Sequence, residues 1–265
     1  MRVNVRADVI RTEGVTKRFG GVTAVDQVSY LLQEHEVAGI IGSNGAGKTT
    51  FFNLLTGYYV PDEGKILYRG EDVTTLPPQR RVAKGMMRTF QLTATFDNLS
   101  VVDNLVLAYF RAHRRASLAQ LLLQTRKTYR NEEKIIEVLE RFDLQDATDK
   151  PAKHLSLGEK RCLEIAMAIL AEPEVLLLDE PLAGLAESET HALLSVLRKH
   201  IGRRTILIVE HKLSHVEGFL DRLTVMHEGR IIADGTYDDC LRHPEVRRSY
   251  WQIAPSVDVQ TGGIT

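Results

Sequence analysis

The sequence predicts an α/β fold in which a mainly parallel sheet has helices on both faces and a helical segment is inserted into the chain. Three observations indicate this class. Short apolar runs such as EVAGII and EVLLLD alternate with helical periods. A glycine-rich turn joins one of these runs directly to a helical pattern. Between about Phe90 and Leu155, helical periods replace the strand-like runs, which predicts a helical insertion.

Strand-like segments occupy the first part of the chain. DVIRTEGVTKRF, VSYLL and EVAGII lie within residues 8–41, and the last is the continuous apolar run of a buried strand. TTFFNLLT, from Thr49 to Thr56, has a helical pattern that ends at Gly57. Turn residues, including Pro61 and Gly64, then lead into the strand KILYRG.

The alternation of helix and strand resumes after the insertion. RCLEIAMAILAE and SETHALLSVLRKHI have helical patterns, and they alternate with the strands EVLLLD and TILIVEH. We therefore expect one globular domain with an α/β core over residues 8–90 and 160–250. The helical insertion covers 91–159, and residues 255–265 form a loose tail.

Composition excludes several classes of protein. The 265 residues are 43% hydrophobic and 26% charged, with a formal net charge of -1, which is not typical of a disordered chain or a globally basic nucleic-acid binder. Cys162 and Cys240 form no disulfide framework or metal-ligand cluster, so we expect packing roles in a reducing cytosol. No apolar run approaches the roughly 20 residues that cross a bilayer, and the chain is expected not to enter a membrane.

A phosphate-binding loop follows the strand EVAGII. Gly42 to Thr49 satisfies G-x-x-x-x-G-K-[ST] between a buried strand and a helix, which is the context that this motif requires. Backbone N–H groups there converge on phosphate oxygens, Lys48 reaches the β- and γ-phosphates, and the Thr49 hydroxyl faces Mg²⁺. Thr50 adds a further hydrogen bond to phosphate. The predicted ATP-binding residues of this loop are Gly42, Ser43, Asn44, Gly45, Ala46, Gly47, Lys48, Thr49 and Thr50.

Two carboxylates and a histidine follow other strands. In EVLLLDEP, Asp179 is expected to hold Mg²⁺ through water, and Glu180 to orient and deprotonate the attacking water. Alone, this pair is equally typical of an ordinary acidic turn, but the P-loop upstream favours the catalytic interpretation. His211 follows the strand TILIV, where an imidazole could touch the γ-phosphate, although a single histidine there is more typical of a surface position.

The stretch HLSLGEKRCLEIA contains a second turn of small residues, Ser156 to Gly158, before an amphipathic helix. With this stretch, five segments in order resemble the ATP-binding-cassette (ABC) transporter ATPase subunits over nearly the whole chain. They are the P-loop, RTFQ, LSLGEKR, LLLDEP and VEH. The resemblance implies that Gln91 contacts Mg²⁺ or the attacking water, that His211 senses the γ-phosphate, and that Phe19 stacks on adenine. A core phenylalanine that closes a strand is the alternative for Phe19.

The resemblance also implies the ABC-type nucleotide-binding fold, in which an antiparallel β portion accompanies the mainly parallel sheet, and a head-to-tail pair of chains. In such a pair, Ser156 and Gly158 of one chain bind the γ-phosphate held by Lys48 of the other. Three positions depart from the family pattern. Leu157 and Glu159 replace a glycine and a glutamine of the signature LSGGQ, and Ala186 stands where the family often has Asp or Asn.

Several segments are most similar to the branched-chain amino acid importers. They are VTKRFGGVTAVDQVS, GMMRTFQ, GEKRCLEIA and GRIIADGTYDDCLRHPEVRRSYW. The resemblance implies transmembrane permease subunits as partners, an indirect link to a substrate-binding protein, and a place at the cytoplasmic face of a bacterial inner membrane. The second ATPase subunit is the same or a related chain. We expect no nucleic-acid partner, because the basic stretch 110–130 continues into the acidic NEEKIIEVLE.

The sequence leaves three alternative functions open. The first is an ABC importer of urea, amides or another polar solute, because an ATPase subunit does not itself touch the cargo. The second is a soluble ABC ATPase that acts on nucleic acid or ribosomes; such proteins generally have two cassettes or a long coiled coil, and this chain has neither feature. The third, a P-loop kinase or GTPase, does not explain LSLGEKR.

Overall fold

The structure is a computed structural model that describes residues 6–89, 95–112, 132–200, 204–211 and 216–251. Its strands are β1 Asp8–Phe19, β2 Val22–Gln33, β3 Val37–Gly42, β4 Glu63–Tyr68, β5 Glu71–Asp72, β6 Met86–Arg88, β7 Val175–Asp179, β8 Thr205–Glu210, β9 Arg222–His227 and β10 Arg230–Gly235. Its α-helices are α1 Lys48–Thr56, α2 Pro78–Ala83, α3 Val101–Ala112, α4 Glu133–Arg141, α5 Leu157–Ile169, α6 Glu187–His200, α7 Tyr237–Arg242 and α8 Pro244–Trp251.

These strands form two sheets. The larger has six strands in the order β10-β9-β3-β8-β7-β6, and it is parallel except for the antiparallel pair β9 and β10. The smaller is a four-stranded antiparallel sheet with the order β2-β1-β4-β5. The prediction of an α/β fold with a mainly parallel sheet and an antiparallel portion is confirmed.

The two faces of the larger sheet belong to different hydrophobic clusters. Along β7, Val175 and Leu177 pack with α1 and the smaller sheet, whereas Leu176 and Leu178 pack with α3, α4, α5 and α6. This separation follows from the two-residue period of a strand, which directs neighbouring side chains to opposite faces. The expectation of helices on both faces is therefore incomplete, because the smaller sheet covers one face together with α1.

Helices of the predicted insertion share a core with the rest of the chain. Val102, Leu105 and Ile135 of α3 and α4 lie in the same buried cluster as residues of α5, β7 and β8. The predicted limit between residues 159 and 160 falls within the first turn of α5, which begins at Leu157. The predicted tail, 255–265, lies outside the described residues. Within the described part of the chain, no helix has the length and apolar character that crossing a membrane requires.

The helix that follows the P-loop is fixed at its carboxyl end. Gly57 has a left-handed backbone (φ 80°), and its N–H group donates to carbonyls of α1, as in a glycine C-cap. The Arg81 guanidinium, 1% exposed, donates to the carbonyls of Leu54 and Leu55, each at 2.7 Å. Arg81 also donates to the carbonyls of Val73, Thr74 and Leu76. This buried side chain therefore joins α1 to the loop before α2.

Candidate nucleotide site

The P-loop lies between β3 and α1, as predicted. Gly47 precedes the helix with a φ of 95°, and a Cβ atom at this position would lie 2.3 Å from the carbonyl oxygen of Ala24. Only glycine fits such a close approach with a left-handed backbone. Ser43, Asn44 and Gly45 are exposed at the tip of the loop. The backbone N–H groups of this turn and the first turn of α1 are arranged as in an anion-binding helix N-terminus.

The ammonium group of Lys48 is held inside the loop. Lys48 is 4% exposed, and its Nζ donates to the carbonyls of Gly42 at 2.8 Å and Ser43 at 3.0 Å. Burial lowers the pKa of Lys48 from its ordinary value, and the charges of three nearby carboxylates act in the opposite direction. These carboxylates belong to Glu180, Glu210 and Asp179. The Lys48 ammonium is therefore held by the loop carbonyls and lies close to three carboxylates.

Side chains along β7 and β8 alternate between the two faces of the sheet. This alternation determines which residues lie near Lys48. Asp179 ends β7 two residues after Leu177, on the face that α1 covers, and it is 2% exposed. His211 follows β8 two residues after Val209, which lies on the same face. Because β7 and β8 are parallel neighbours, their carboxyl ends meet at one edge of the sheet.

His211 lies between Lys48 and Glu180. Its Nδ1 is 3.3 Å from Lys48 Nζ, and its Nε2 is 2.5 Å from Glu180 Oε1. A neutral imidazole with its proton on Nε2 satisfies both contacts, because Nδ1 then accepts from the ammonium and Nε2 donates to the carboxylate. The structure therefore brings three predicted site residues from different segments into one hydrogen-bonded group.

The backbone at Glu180 is strained. Glu180 has a φ of 48°, in the left-handed region that non-glycine residues rarely adopt, and its N–H group donates to the carbonyl of Val209 at 2.9 Å. Such conformations persist where surrounding contacts fix them, and they concentrate at functional sites. The kink turns the Glu180 side chain, which is 7% exposed, toward His211.

A second carboxylate, Glu210, joins the loops after β7 and β8. Its Oε1 accepts from the Leu182 N–H at 2.9 Å, and its Oε2 accepts from the His211 N–H at 3.3 Å. Burial raises the pKa of Glu210 to about 7, Glu180 adds to this rise, and the two N–H groups and Arg161 oppose it. Glu210 was not among the residues predicted from the sequence, although its position before His211 at a strand end was a signal.

The signature segment begins α5. Ser156 is the N-cap: its Oγ accepts from the Glu159 N–H at 3.1 Å, and a Glu159 carboxylate oxygen accepts from the Ser156 N–H at 2.7 Å. This reciprocal pair is a capping box, so the departure to Glu159 has a local structural function. Gly158 lies in the first helical turn rather than in a turn before it, and a Cβ atom there would lie 3.2 Å from Glu189 Oε1.

Within the described residues, the signature segment contacts α6 and the loop after β7 of the same chain. The hydrogen bonds found for Ser156 within the described residues join it to α5, and Gly158 faces Glu189 of α6. Leu157, 38% exposed, approaches the loop after β7 at Gly184. The predicted roles of Ser156 and Gly158 toward a phosphate held by another chain stay predictions.

Phe19 lies at the end of β1 and is 43% exposed. Its ring makes an edge contact with Tyr59 at 5.2 Å between centroids, and the ammonium of Lys17 lies 5.7 Å from its centre. The alternative of a core phenylalanine is therefore wrong, and the ring has a free surface on which a base can stack.

The sequence also predicts Thr49, Thr50 and Gln91 as residues of the nucleotide site. Thr49 and Thr50 lie in the first turn of α1, where Thr49 is exposed and Thr50 is half-buried. Gln91 lies outside the described residues, so its role stays a prediction. Arg88, whose guanidinium lies 2.6 Å from Asp179 Oδ2, was also not predicted from the sequence. Its position three residues before Gln91, at the end of β6, was the available signal.

A P-loop at the end of the parallel strand β3, with an acidic pair at the end of β7, the next strand but one in the same sheet, defines an ATPase that binds nucleoside triphosphates. The sequence model of the ABC transporter family matches residues 25–183. The chain belongs to this family, and it is an ABC-type ATPase.

Similar proteins support this assignment over most of the chain. The high-affinity branched-chain amino acid transport ATP-binding protein LivG of Salmonella typhimurium is 38% identical, with 91% of this chain and 97% of LivG covered. BraF of Pseudomonas aeruginosa, with the same description, is 36% identical at the same coverages. Among solved structures, an ATP-binding cassette of an ABC transporter in its ADP conformation is 31% identical with a TM-score of 0.78, covering 93% of this chain and 99% of that one.

Proposed function

We propose that this chain couples ATP binding and hydrolysis to the import of branched-chain amino acids through separate transmembrane permease subunits. The observation that carries the catalytic part is the position of His211 between Lys48 and Glu180, because it joins the P-loop to the residues at the ends of β7 and β8. The cargo is proposed from the descriptions of LivG and BraF, whose similarity extends over nearly their whole lengths.

Nucleotide binding follows from the P-loop and its surroundings. Phosphate oxygens accept hydrogen bonds from the backbone N–H groups between Ser43 and Thr50, and Lys48 exchanges part of its carbonyl contacts for the β- and γ-phosphates. The exposed ring of Phe19 stacks on adenine. The phosphates supply the negative charge that balances Lys48 in its buried position.

The residues at the site fit a magnesium ion. Mg²⁺ prefers oxygen ligands and keeps several waters, and here the Thr49 hydroxyl and the Asp179 carboxylate are oxygen donors beside the P-loop. Gln91 is a further proposed contact. When bound with ATP, Mg²⁺ neutralises phosphate charge during transfer.

Glu180 is the proposed general base. Its carboxylate accepts a proton from the attacking water, and the hydrogen bond from His211 Nε2 holds it beside the P-loop. Because Nδ1 of His211 contacts Lys48, the same imidazole lies beside the position of the γ-phosphate and responds to its presence. His211 thereby connects the state of the phosphate to the orientation of the base.

The complete site needs two chains. Ser156 and Gly158 begin α5, where the Ser156 hydroxyl, the backbone N–H groups and the helix dipole favour an anion. In a head-to-tail pair, these groups bind the γ-phosphate that Lys48 holds in the partner chain, so ATP joins the two chains. The partner chain is a second copy or a related ATPase subunit.

We also propose which part of the chain binds ATP, which part contacts the permease, and where the chain lies in the cell. The α/β core, residues 8–90 and 160–250, holds the P-loop and both strand ends, and the helical insertion, residues 91–159, carries contacts to the permease. We place the chain at the cytoplasmic face of a bacterial inner membrane, bound peripherally through the permease. A substrate-binding protein acts on the opposite side and reaches this chain only through the permease.

Reconstitution with the permease tests this function. The chain is purified with candidate transmembrane permease subunits, placed in lipid vesicles with a substrate-binding protein, and supplied with ATP on the cytoplasmic side. We expect ATP-dependent uptake of radiolabelled leucine, isoleucine and valine, and no uptake with Lys48→Ala in place of the wild type. Uptake of urea or amides without branched-chain amino acids would contradict the cargo. Full ATPase turnover as a soluble monomer, with no recovery of a permease complex, would contradict transport itself.

A further inference from the structure

We propose that Arg88 is a positioning residue that holds the Asp179 carboxylate in place for the metal-nucleotide complex. This inference rests on the proposed function of Asp179. Arg88 ends β6, the edge strand beside β7, and its backbone pairs in parallel register with Leu177. Because Asp179 follows Leu177 by two residues on the same face of the sheet, the Arg88 side chain reaches along that face to the carboxylate.

The Arg88 guanidinium makes hydrogen bonds to two elements of the site. One terminal nitrogen, Nη2, lies 2.6 Å from Asp179 Oδ2. The other, Nη1, donates to Asn53 Oδ1 at 2.6 Å and Thr56 Oγ1 at 3.1 Å. Asn53 and Thr56 lie on α1, the helix that begins at the P-loop lysine. Arg88 therefore connects the carboxyl end of β7 to the helix that carries the P-loop.

Two aromatic rings pack against the Arg88 guanidinium and fix its position. The guanidinium carbon lies 4.9 Å from the centre of the buried Phe52 ring and 5.2 Å from that of Tyr58. A planar guanidinium is suited to such stacking and to bidentate contacts, which a lysine ammonium does not reproduce. The Arg88 side chain is 12% exposed, so its charge is weakly screened by solvent. The cation is therefore built into the site rather than lying on its surface.

This contact has a consequence for metal binding. Asp179 is 2% exposed and also lies close enough to Lys48 for its charge to act on the ammonium. Arg88 engages Oδ2 of this carboxylate. In the proposed arrangement, this contact restricts the orientation of the carboxylate, and Oδ1 accepts from a water of the metal-nucleotide complex. Hydrogen-bond partners behind a ligating carboxylate typically change metal affinity by about 10- to 100-fold when removed.

The test compares ATP affinity with Mg²⁺ and with EDTA, using a fluorescent ATP analogue. Arg88→Met is expected to leave affinity in EDTA close to that of the wild type, because phosphate contacts remain. The gain in affinity from Mg²⁺ is expected to fall by about tenfold or more. Arg88→Lys keeps the positive charge but lacks the planar guanidinium that makes both sets of contacts. It should give an intermediate loss of the affinity gained from Mg²⁺. Titration of Mn²⁺ by electron paramagnetic resonance in the presence of ATP measures the same change without turnover.

Controls separate this positioning from a general loss of stability. Arg69→Met removes an arginine that is ion-paired with Glu34 and Glu174, away from the P-loop, and should leave the Mg²⁺ dependence unchanged. Asn53→Ala removes one hydrogen-bond acceptor of the Arg88 guanidinium and keeps both Arg88 and Asp179. If Arg88→Met does not fold, Arg88→Lys and Asn53→Ala decide the question, and at least one must weaken the Mg²⁺ dependence.

The outcomes also distinguish this proposal from the proposed function. Asp179→Asn serves as the reference and should abolish most of the Mg²⁺ dependence. If it does so while the Arg88 and Asn53 variants bind like the wild type, the positioning role is wrong and the role of Asp179 stands. Tighter Mg²⁺-dependent binding in Arg88→Met would show that the arginine competes with the metal, which also overturns the proposal. If Asp179→Asn has no effect, the assignment of Asp179 is wrong, and the inference fails with it.

Discussion

His211 Nε2 lies 2.5 Å from Glu180 Oε1, although the two residues follow different strands of the larger sheet. The parallel pairing of β7 and β8 brings the strand ends together, and the left-handed backbone of Glu180 directs its carboxylate to the imidazole. Lys48 contacts the other ring nitrogen. The acid, the imidazole and the P-loop lysine therefore act as one connected group.

Glu180→Gln is expected to bind ATP and to hydrolyse it at least about 100-fold more slowly, because the amide cannot accept a proton from water. The variant should form an ATP-dependent pair of chains, detected by size-exclusion chromatography with ATP. Phosphate release measures hydrolysis, and Glu140→Gln, an exposed change on α4, is the matched control. Turnover equal to that of the control would remove Glu180 from the role of base.

Ser156 has two roles that different substitutions separate. Ser156→Ala removes the N-cap of α5 and should lower the free energy of unfolding by about 1 kcal/mol. Ser156→Asp keeps a good N-cap but places negative charge where the partner's γ-phosphate is proposed to bind. We expect Ser156→Asp to be as stable as the wild type by urea denaturation and unable to form the ATP-dependent pair. Pair formation by Ser156→Asp would contradict the shared site.

The pKa of Glu210 predicts a pH dependence of stability. Burial raises this pKa from 4.5 to about 7, so between these values the folded protein binds a proton that the unfolded chain has released. The free energy of unfolding should fall as pH rises through this window, by roughly 1.4 kcal/mol per pH unit at most, and stay lower above it. Glu210→Gln removes this contribution.

Denaturant unfolding at several pH values tests that expectation. The difference in stability between Glu210→Gln and the wild type should shift in favour of the variant as pH rises across the window. The comparison within one pair of proteins cancels the constant effect of replacing a hydrogen-bond acceptor of Leu182 and His211. A difference that is independent of pH would mean that the Glu210 carboxyl titrates alike in both states.

Arg81 is expected to contribute strongly to stability. Arg81→Met removes the donors of five hydrogen bonds to backbone carbonyls, including those of Leu54 and Leu55. The loss should be roughly 3 kcal/mol or more in urea denaturation, because buried carbonyls lose charged donors. Arg80→Met, an exposed change on the same helix, is the control. Equal stability of the two variants would contradict the role of Arg81.

Local patterns predicted the parts of the site that lie in continuous segments. The P-loop between β3 and α1, and the acidic pair at the end of β7, were recognised because each has a fixed spacing next to an apolar strand. Arg88 and Glu210 were missed for the opposite reason. The contacts of Arg88 with Asp179 and of Glu210 with Leu182 join residues distant in the chain, and no local spacing relates them.

The amino-acid sequence by itself determined the α/β class, the P-loop, the catalytic carboxylate candidates and the resemblance to ABC ATPases, because these depend on residue type and local periodicity. Only the tertiary structure decided that His211 bridges Lys48 and Glu180 and that Arg88 contacts Asp179. The physical reason is that strand order and register set which side chains meet at the edge of a sheet. Those pairings arise from burial over the whole core, which no single segment encodes.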